Sequence, residues 1–540
     1  GAADTSLFSL YDSHEAKTWE YDILLAWASG IDGFVVDWFG KTSYENTGLN
    51  GLLDTAEDLY QRFHGSGFDF QIICAYDELA LGRLDTNFVY LADSLLEHPA
   101  YWGKRSGERR PVVTFDWRKP RYTHADYQAA ADSLLPADVY LLHSDRADTA
   151  YVDSLKAGDL FYPWVQTLPT LWDIPFGLEW GKPYLEGFYR DAEARPETFR
   201  RVFSMGSVWP GFDDRPWQLG INRWISRQDT MVYHYTWEMA ENTLSGHTWP
   251  WILVESWNDF NRATQIEPST NWDYKHIVQT RDRAYRYKLG NANCAPEYIE
   301  NLGLLVPQHI RQARLAAEKY PALATQIHAK TEEAVQRFFE RDFLSAISLA
   351  DEASGLSMEP FRVDAVTSHS VTLQWQPAER ANGYVLYYTN EADRLQPCSY
   401  WRPDSILIGN ATSYTLDSLQ SNHKVYLALC AIDSVLGPHA NTSWYTNNLK
   451  GIQPLSVQTL SDPEEPPAQA DGLALFCVAG SPTFSGQGWD NAVDADLAGW
   501  DGTVTTRGDA QGTGSQQQTH QGPAWAIFSF SSDSLRRFNT

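Results

Sequence analysis

Acidic, amide and aromatic side chains follow a short apolar run near the middle of the chain. Residues 251–254 predict a fully buried strand, and Glu255 stands at its end. Further residues able to contact a polar ligand come directly afterwards: Trp257, Asn258, Asp259 and Arg262. Carboxyl groups where a parallel strand gives way to a loop suit proton transfer, because one donates a proton while another accepts it or attacks. The cluster favours a catalytic or binding site, whereas any one of these residues alone would indicate a solvated loop.

More candidates stand at the ends of other predicted strands. Apolar runs predict strands at 30–40, 68–75, 112–115, 139–142, 160–164 and 202–205, separated by segments of helical period. This alternation is typical of parallel βαβ units, of which about eight close into a barrel with its site at the C-terminal strand ends. The side chains expected to bind ligand there are Asp37, Trp38, Asp77, Glu78, Asp116, Trp209 and Asp213.

Two of these candidates have equally good structural interpretations. Trp38 closes a strand and suits either the floor of a sugar-binding subsite or the hydrophobic core. Asp213 belongs to the run Asp213-Asp214-Arg215, which suits either a ligand contact or a structural network of ion pairs. Both interpretations stay open at this level.

The rest of the chain predicts three more segments. The fold class is therefore α/β: a (β/α)8 TIM barrel over residues 1–300, followed by a helical spacer and all-β sandwich domains. Apolar positions of helical spacing predict the spacer at 301–357, with a break at Pro321. Residues 358–460 alternate with period two and resemble a fibronectin type III sandwich, with Trp375 as its core tryptophan. Residues 470–540 resemble part of a discoidin-like carbohydrate-binding module.

Composition limits the classes of partner. The net charge of −27 argues against nucleic acid or an anionic membrane as the main partner. No apolar run is long enough to predict a membrane-inserted helix. The 22 Trp and 28 Tyr favour a carbohydrate partner, since aromatic faces stack on sugar rings. Five scattered cysteines predict neither a disulfide framework nor a zinc site.

The site region resembles the family 99 glycoside hydrolases over about residues 6–290. The resemblance rests on Asn258, on Thr-Gln-Ile-Glu at 264–267 and on the Pro-Gly-Phe-Asp-Asp loop at 210–214. Asp259 stands at the first catalytic acidic position of that family, and Arg262 stands at the second. The resemblance implies a retaining mechanism on an α-mannan-like substrate, with Asp259 as the base that acts through a neighbouring sugar hydroxyl.

The identity of the proton donor stays open. Glu255 and Glu267 are the nearer candidates, and Glu78 and Asp213 are contributed by other strands. Arg262 cannot donate a proton at any working pH. Two roles remain for Arg262. It is either a loop residue that points outward, or a cation that keeps Asp259 ionised and holds a uronate or sulfate group of the substrate.

Two functions fit these observations. The first is a glycoside hydrolase that acts on a polysaccharide or glycan, and the second is a non-catalytic glycan-binding protein on a decayed hydrolase barrel. Serine or cysteine hydrolase chemistry is disfavoured, since no Gly-x-Ser-x-Gly motif occurs.

Further expectations concern cofactors and location. We expect no cofactor and no catalytic metal, although the acidic turn at 490–496 suits a structural calcium ion. We expect a secreted, cell-surface or periplasmic location, and both ends of the chain are expected to be truncated.

Overall fold

The computed structural model describes most of the first 433 residues and a few segments beyond them. The described ranges are 4–7, 11–77, 80–115, 122–144, 160–165, 181–194, 205–217, 223–242, 251–289, 299–359, 361–396, 398–399, 403–433, 455–461, 475–480 and 526–530. The chain divides into two compact units, Gly1–Leu460 and Ser461–Thr540.

Parallel strands alternate with helices through the first part of the chain. A five-stranded parallel sheet contains β1 (Gly33–Trp38), β2 (Gln71–Asp77), β3 (Arg110–Phe115), β4 (Val139–Ser144) and β5 (Leu160–Tyr162), in that spatial order. A second parallel pair joins β6 (Gly206–Val208) to β9 (Ile252–Val254). Between them in sequence lies an antiparallel hairpin, β7 (Phe212–Asp213) and β8 (Trp224–Ile225), which the sequence pattern did not predict.

Helices pack outside these strands. They are α1 (Ala16–Ala28), α2 (Glu45–Phe63), α3 (Leu84–Tyr90), α4 (His124–Leu134), α5 (Lys182–Ala194), α6 (Met231–Asn242) and α7 (Lys275–Leu289). The capping box of α4 shows how local sequence starts a helix: Thr123 accepts the backbone N–H of Asp126, whose carboxylate accepts the N–H of Thr123.

The strands separate two apolar layers, as a barrel requires. Alternate residues of the strands form an inner cluster: Val35, Ile73, Ala75, Val113, Phe115, Leu142, Tyr162, Met205 and Leu253. Residues of opposite parity, such as Val36, Ile72 and Val112, belong to a separate outer cluster with the helices. The predicted α/β barrel class is confirmed, and an eighth parallel strand is not among the described residues.

Three further helices follow the barrel: α8 (Asn301–Lys319), α9 (Ala324–Phe339) and α10 (Phe343–Ser354). The break predicted at Pro321 is confirmed, because this proline opens a 3₁₀ turn between α8 and α9. Helix α8 packs on α1, where Arg314 forms a two-pronged ion pair with Glu20. None of the described helices is both long and apolar enough to cross a bilayer.

Two antiparallel sheets follow the helices within the first unit. One contains β10 (Arg362–Val366), β11 (Val371–Gln374) and β14 (Ser413–Leu416). The other contains β13 (Asp404–Ile408), β12 (Gly383–Thr389), β15 (Lys424–Ile432) and β16 (Leu455–Gln458), in that order. Trp375 is buried and meets Tyr384 edge to face, as expected for the core of a sandwich.

In the second unit, the described residues form one antiparallel pair, β17 (Leu475–Gly480) and β18 (Ala526–Phe530). The acidic turn at 490–496, on which the calcium expectation depends, lies outside the described residues.

Candidate functional site

The inner face of the barrel carries carboxylates at its C-terminal edge. Asp37 comes two residues after Val35 on β1, and Asp77 comes two residues after Ala75 on β2. Because strand side chains alternate, both carboxylates continue the row of inner residues where the strands end. The apolar interior therefore becomes acidic at the edge where parallel barrels bind ligands.

Asp37 interacts electrostatically with several of the other candidate residues. Its pKa is raised well above the ordinary value, first by removal from bulk water and then by the negative charge of Asp77. Asp259 and Glu45 raise the pKa further, and Arg262 lowers it. The Asp37 side chain is nevertheless exposed to solvent, so we attribute more of the shift to its neighbouring carboxylates than to desolvation. We use the word recess below for this acidic edge, defined by Asp37, Asp77, Asp259 and Arg262.

Asp259 and Arg262 form an ion pair at this recess. A guanidinium N–H of Arg262 donates to Asp259 over 2.9 Å, and its backbone N–H donates to the same carboxylate over 3.2 Å. Both side chains are about one-fifth exposed, at 22% for Asp259 and 21% for Arg262. The guanidinium also lies over the ring of Trp217, 5.2 Å from its centroid. Arg262 thus does not point outward, and its charge is directed at Asp259 as one sequence hypothesis required.

Glu255 directly follows β9 and is buried, with 1% of its surface exposed. It accepts the backbone N–H of Val165 over 2.6 Å and the hydroxyl of Ser207. Burial raises the pKa of Glu255 well above its ordinary value, and these two hydrogen bonds oppose the shift only in part. The residue therefore connects the end of β9 with β6 and with the segment that follows β5.

Glu267 ends the loop that follows β9, residues 255–267, which we call the site loop. It does not lie on the inner face of the barrel. It is buried, and it accepts hydrogen bonds from Ser6 over 3.0 Å and from Tyr11 over 2.6 Å. Burial and the nearby charge of Asp22 raise the pKa of Glu267 to about 8. Its contacts are with α1 and with the N-terminal segment, so the structure does not bring it together with Asp37.

The predicted tryptophans pack against protein. Trp38 is fully buried on the outer face of β1, where its indole N–H donates to Asn46 over 3.0 Å. Trp209 is fully buried as well, beside Thr236 of α6. The indole N–H of Trp257 donates to Asp22 over 3.0 Å. The core interpretation of Trp38 therefore describes this structure, and neither Trp38 nor Trp209 offers a ring face to a sugar.

The other predicted residues are placed as follows. Asp213 forms a two-pronged ion pair with Arg215, and its backbone N–H donates to the carbonyl of Arg262 over 2.7 Å. Asp214 forms a buried ion pair with Arg223, so the ion-pair network is present in this loop. Asn258 is exposed at the site loop. The two remaining candidates, Glu78 and Asp116, lie outside the described residues.

The returning limb of the site loop is fixed by a buried arginine. Arg227 donates to the carbonyl oxygens of Ala263 and Gln265, each over 2.9 Å. Burial lowers the pKa of Arg227 to about 9. These hydrogen bonds give the two backbone carbonyls partners that they would otherwise lack. They also connect this part of the loop to β8 through Arg227.

Sequence reasoning missed Asp22, Tyr11, Ser207 and Arg311, which hold or surround the site loop. Asp22 had a signal: it is the one charged residue in the apolar second half of α1 (residues 21–28), and Tyr21 and Ile23 are buried beside it. A charged residue on an apolar helix indicates a buried partner. Ser207 and Arg311 had no such signal, because their partners are distant in sequence.

Among the residues that the structure describes, no group of three His, Cys, Asp or Glu side chains is arranged to hold a metal ion. Among the described cysteines, Cys74 and Cys430 are buried and Cys398 is partly buried.

No protein-family model matches the chain, and no curated protein matches it either. Among solved structures, the GH99 endo-alpha-mannosidase from Bacteroides thetaiotaomicron is 17% identical, with 54% of this chain and 85% of that chain covered and a TM-score of 0.40. A glycoside hydrolase-like protein is 13% identical, with 52% and 89% covered and a TM-score of 0.39.

A fibronectin domain, FN5 of Drosophila Lar, is 14% identical to this chain, with 19% of this chain and 96% of that domain covered and a TM-score of 0.14. Likenesses of this strength describe a resemblance and carry no conclusion about the activity of this chain.

Proposed function

We propose that this chain is a glycoside hydrolase that cleaves a polysaccharide or glycan at the C-terminal face of its barrel. The observation that carries the proposal is the meeting of Asp37, Asp77 and Asp259 with Arg262 at one recess. Acid–base cleavage of a glycosidic bond needs one protonated and one ionised carboxyl group. Asp37, whose pKa is raised, and Asp259, which is paired with Arg262, are the candidates for these two roles.

In this proposal Asp37 is the proton donor. Its raised pKa keeps it protonated at a pH where an ordinary aspartate is ionised. Asp259, held by Arg262, is the anion that acts as base or nucleophile. Glu255, which the sequence left as a candidate acid, has a structural role in this proposal. Its two carboxyl oxygens accept hydrogen bonds from the backbone N–H of Val165 and the hydroxyl of Ser207.

The experiment is hydrolysis of a glycan panel by the wild-type chain and by Asp37→Asn. α-Mannan is the first substrate to include, because the family that the sequence resembles includes an endo-alpha-mannosidase of known structure. Neutral glucans and polymers that carry uronate or sulfate complete the panel. We expect release of reducing ends by the wild type and a loss of about two decades or more in Asp37→Asn. Full activity of Asp37→Asn would exclude it as the donor.

A second function has a specific observation in its favour. Arg262 occupies the carboxylate of Asp259 at 2.9 Å, and Glu255 and Glu267 are both buried in hydrogen bonds. A barrel that binds glycans without cleaving them would tolerate this arrangement. Binding without turnover across the whole panel would support this second function and would refute the hydrolase.

The remaining expectations are part of the same proposal. A barrel over 1–300, a spacer over 301–357, a sandwich over 358–460 and a carbohydrate-binding module over 470–540 would suit a secreted, cell-surface or periplasmic protein that acts on extracellular glycans. A calcium titration followed by thermal unfolding would test the structural calcium ion at 490–496, where an increase in melting temperature is expected.

A further inference from the structure

Two buried carboxyl groups outside the recess interact with each other behind the site loop. Asp22 lies in the middle of α1 and Glu267 lies at the end of the loop, and both are buried. We call them the acid pair. The negative charge of Asp22 acts on Glu267, and Glu267 also accepts hydrogen bonds from Tyr11 and Ser6.

The acid pair is joined to the turn that carries Asp259. The indole N–H of Trp257 donates to Asp22 over 3.0 Å, and the amide of Asn258 reaches the hydroxyl of Tyr11 over 3.5 Å. The backbone N–H of Glu267 donates to the carbonyl of Trp257 over 2.9 Å, which closes the loop on itself. The residues next to the candidate catalytic carboxylate are thus fixed by groups that do not touch the recess.

The charges around the acid pair do not balance if both carboxyls are ionised. The groups that face it are Arg311 from α8, Tyr21 from α1, Tyr274 ahead of α7, and Tyr11 from the N-terminal segment. Among these described neighbours, Arg311 alone is a cation. Two buried anions beside one cation are costly, and retention of one proton by the pair removes the excess charge.

We propose that Asp22 and Glu267 are positioning residues that hold the turn bearing Asp259 through Trp257 and Tyr11, and that they hold it while one proton remains on the pair. Loss of this proton leaves two anions that repel each other. The turn then loses its support while the recess itself is chemically unchanged.

The acidities of the two groups agree with this geometry. Burial raises the pKa of Asp22 to about 7, against the opposing effects of Trp257 and Arg311. Burial and the charge of Asp22 raise the pKa of Glu267 to about 8, against Tyr11, Ser6 and Arg311. The pair titrates as a unit, so its protons leave between neutral and mildly alkaline pH.

The test that does not depend on activity is fluorine NMR of the chain labelled with 5-fluorotryptophan. The signal of Trp257 is assigned by its absence in Trp257→Phe. We expect this signal to shift between about pH 6.5 and 8.5, a window that follows from the two titrations. In Glu267→Gln the step near pH 8 should disappear and the titration of Asp22 near pH 7 should remain, because the second proton, whose loss the charge of Asp22 delays, is no longer present.

The matched control is Asp12→Asn, which changes an exposed carboxylate on the same N-terminal segment and should leave the Trp257 titration unaltered. Circular dichroism checks that each variant is folded, and Asp22→Asn replaces Glu267→Gln if the latter fails to fold. A Trp257 signal that stays constant from pH 6 to 9, or the same two-step titration curve in the folded variant as in the wild type, would overturn the inference.

A second readout rests on the proposed hydrolase function. The alkaline limb of the pH–rate profile should move in Glu267→Gln, with a larger change in kcat than in KM, since the turn and not the glycan contacts is altered. An unchanged alkaline limb in an active variant would count against the positioning role. Complete absence of hydrolysis in the wild type would refute the proposed function alone, because the NMR titration decides the acid pair independently.

Discussion

Replacing Asp259 by Asn removes one negative charge from the recess and preserves the size of the side chain. If Asp259 is the base or nucleophile, the rate should fall by about two decades or more, because the group acts in the transition state. The fall should be in kcat/KM for every glycan that the wild type cleaves, since the chemical step and not recognition of one sugar is affected.

The effect on stability should be small, and the structure gives its size. The Asp259–Arg262 ion pair is 2.9 Å long with side chains about one-fifth exposed, at 22% and 21%. A partly exposed pair of this kind contributes up to about 1 kcal/mol to the free energy of unfolding. Asparagine can still accept the backbone N–H of Arg262, which now donates over 3.2 Å. We therefore expect the melting temperature to fall by about 2 °C or less.

The assay compares reducing-end release with thermal unfolding for the wild type, Asp259→Asn and a control. Asp138→Asn is the matched control, because Asp138 forms a two-pronged ion pair with Arg110 just before β4, at the opposite end of the strands. The control should keep full activity with a comparable change in melting temperature. Retention of most activity by Asp259→Asn, or equal losses in both variants, would refute the assignment.

Three further outcomes are expected. Glu255→Gln should change the free energy of unfolding by less than about 1 kcal/mol. Glu255→Ala should lower it by about 1–3 kcal/mol, because alanine leaves the buried N–H of Val165 without an acceptor. Equal denaturation midpoints for the two variants would contradict this. Since the pKa of Glu267 is raised to about 8, the folded chain keeps a proton that the unfolded chain releases, and the stability this supplies is lost as pH rises. The wild type should therefore lose about 1 kcal/mol per pH unit relative to Glu267→Gln between about pH 5 and 8, and parallel stability curves would exclude the shift. Arg262→Ala should slow cleavage of neutral and anionic glycans alike, because the guanidinium is engaged by Asp259; a loss confined to uronate or sulfate polymers would instead support the anionic-substrate hypothesis.

The sequence determined the elements and their faces. Apolar runs and helical periods predicted the barrel strands, the break at Pro321 and the sandwich, because hydrophobic spacing reports directly on which side of an element is buried. The same period of two puts Asp37 and Val35 on one face of β1, so an acidic inner edge followed from the order of residues alone. Strand β6 pairs with β9 over Gly206–Val208, and residues 202–204 of the predicted strand lie outside the described residues.

Only the tertiary structure decided which charges meet. Trp257 bonds to Asp22, 235 residues earlier in the chain, and no periodicity relates residues so far apart. Sequence spacing likewise left Glu255 and Glu267 as alternative proton donors beside Asp259. In the folded barrel Glu255 and Glu267 are buried, whereas Asp259 is partly exposed and paired with Arg262. The protonation state of a carboxyl group depends on burial and neighbouring charge, which are properties of the assembled fold and not of its local sequence.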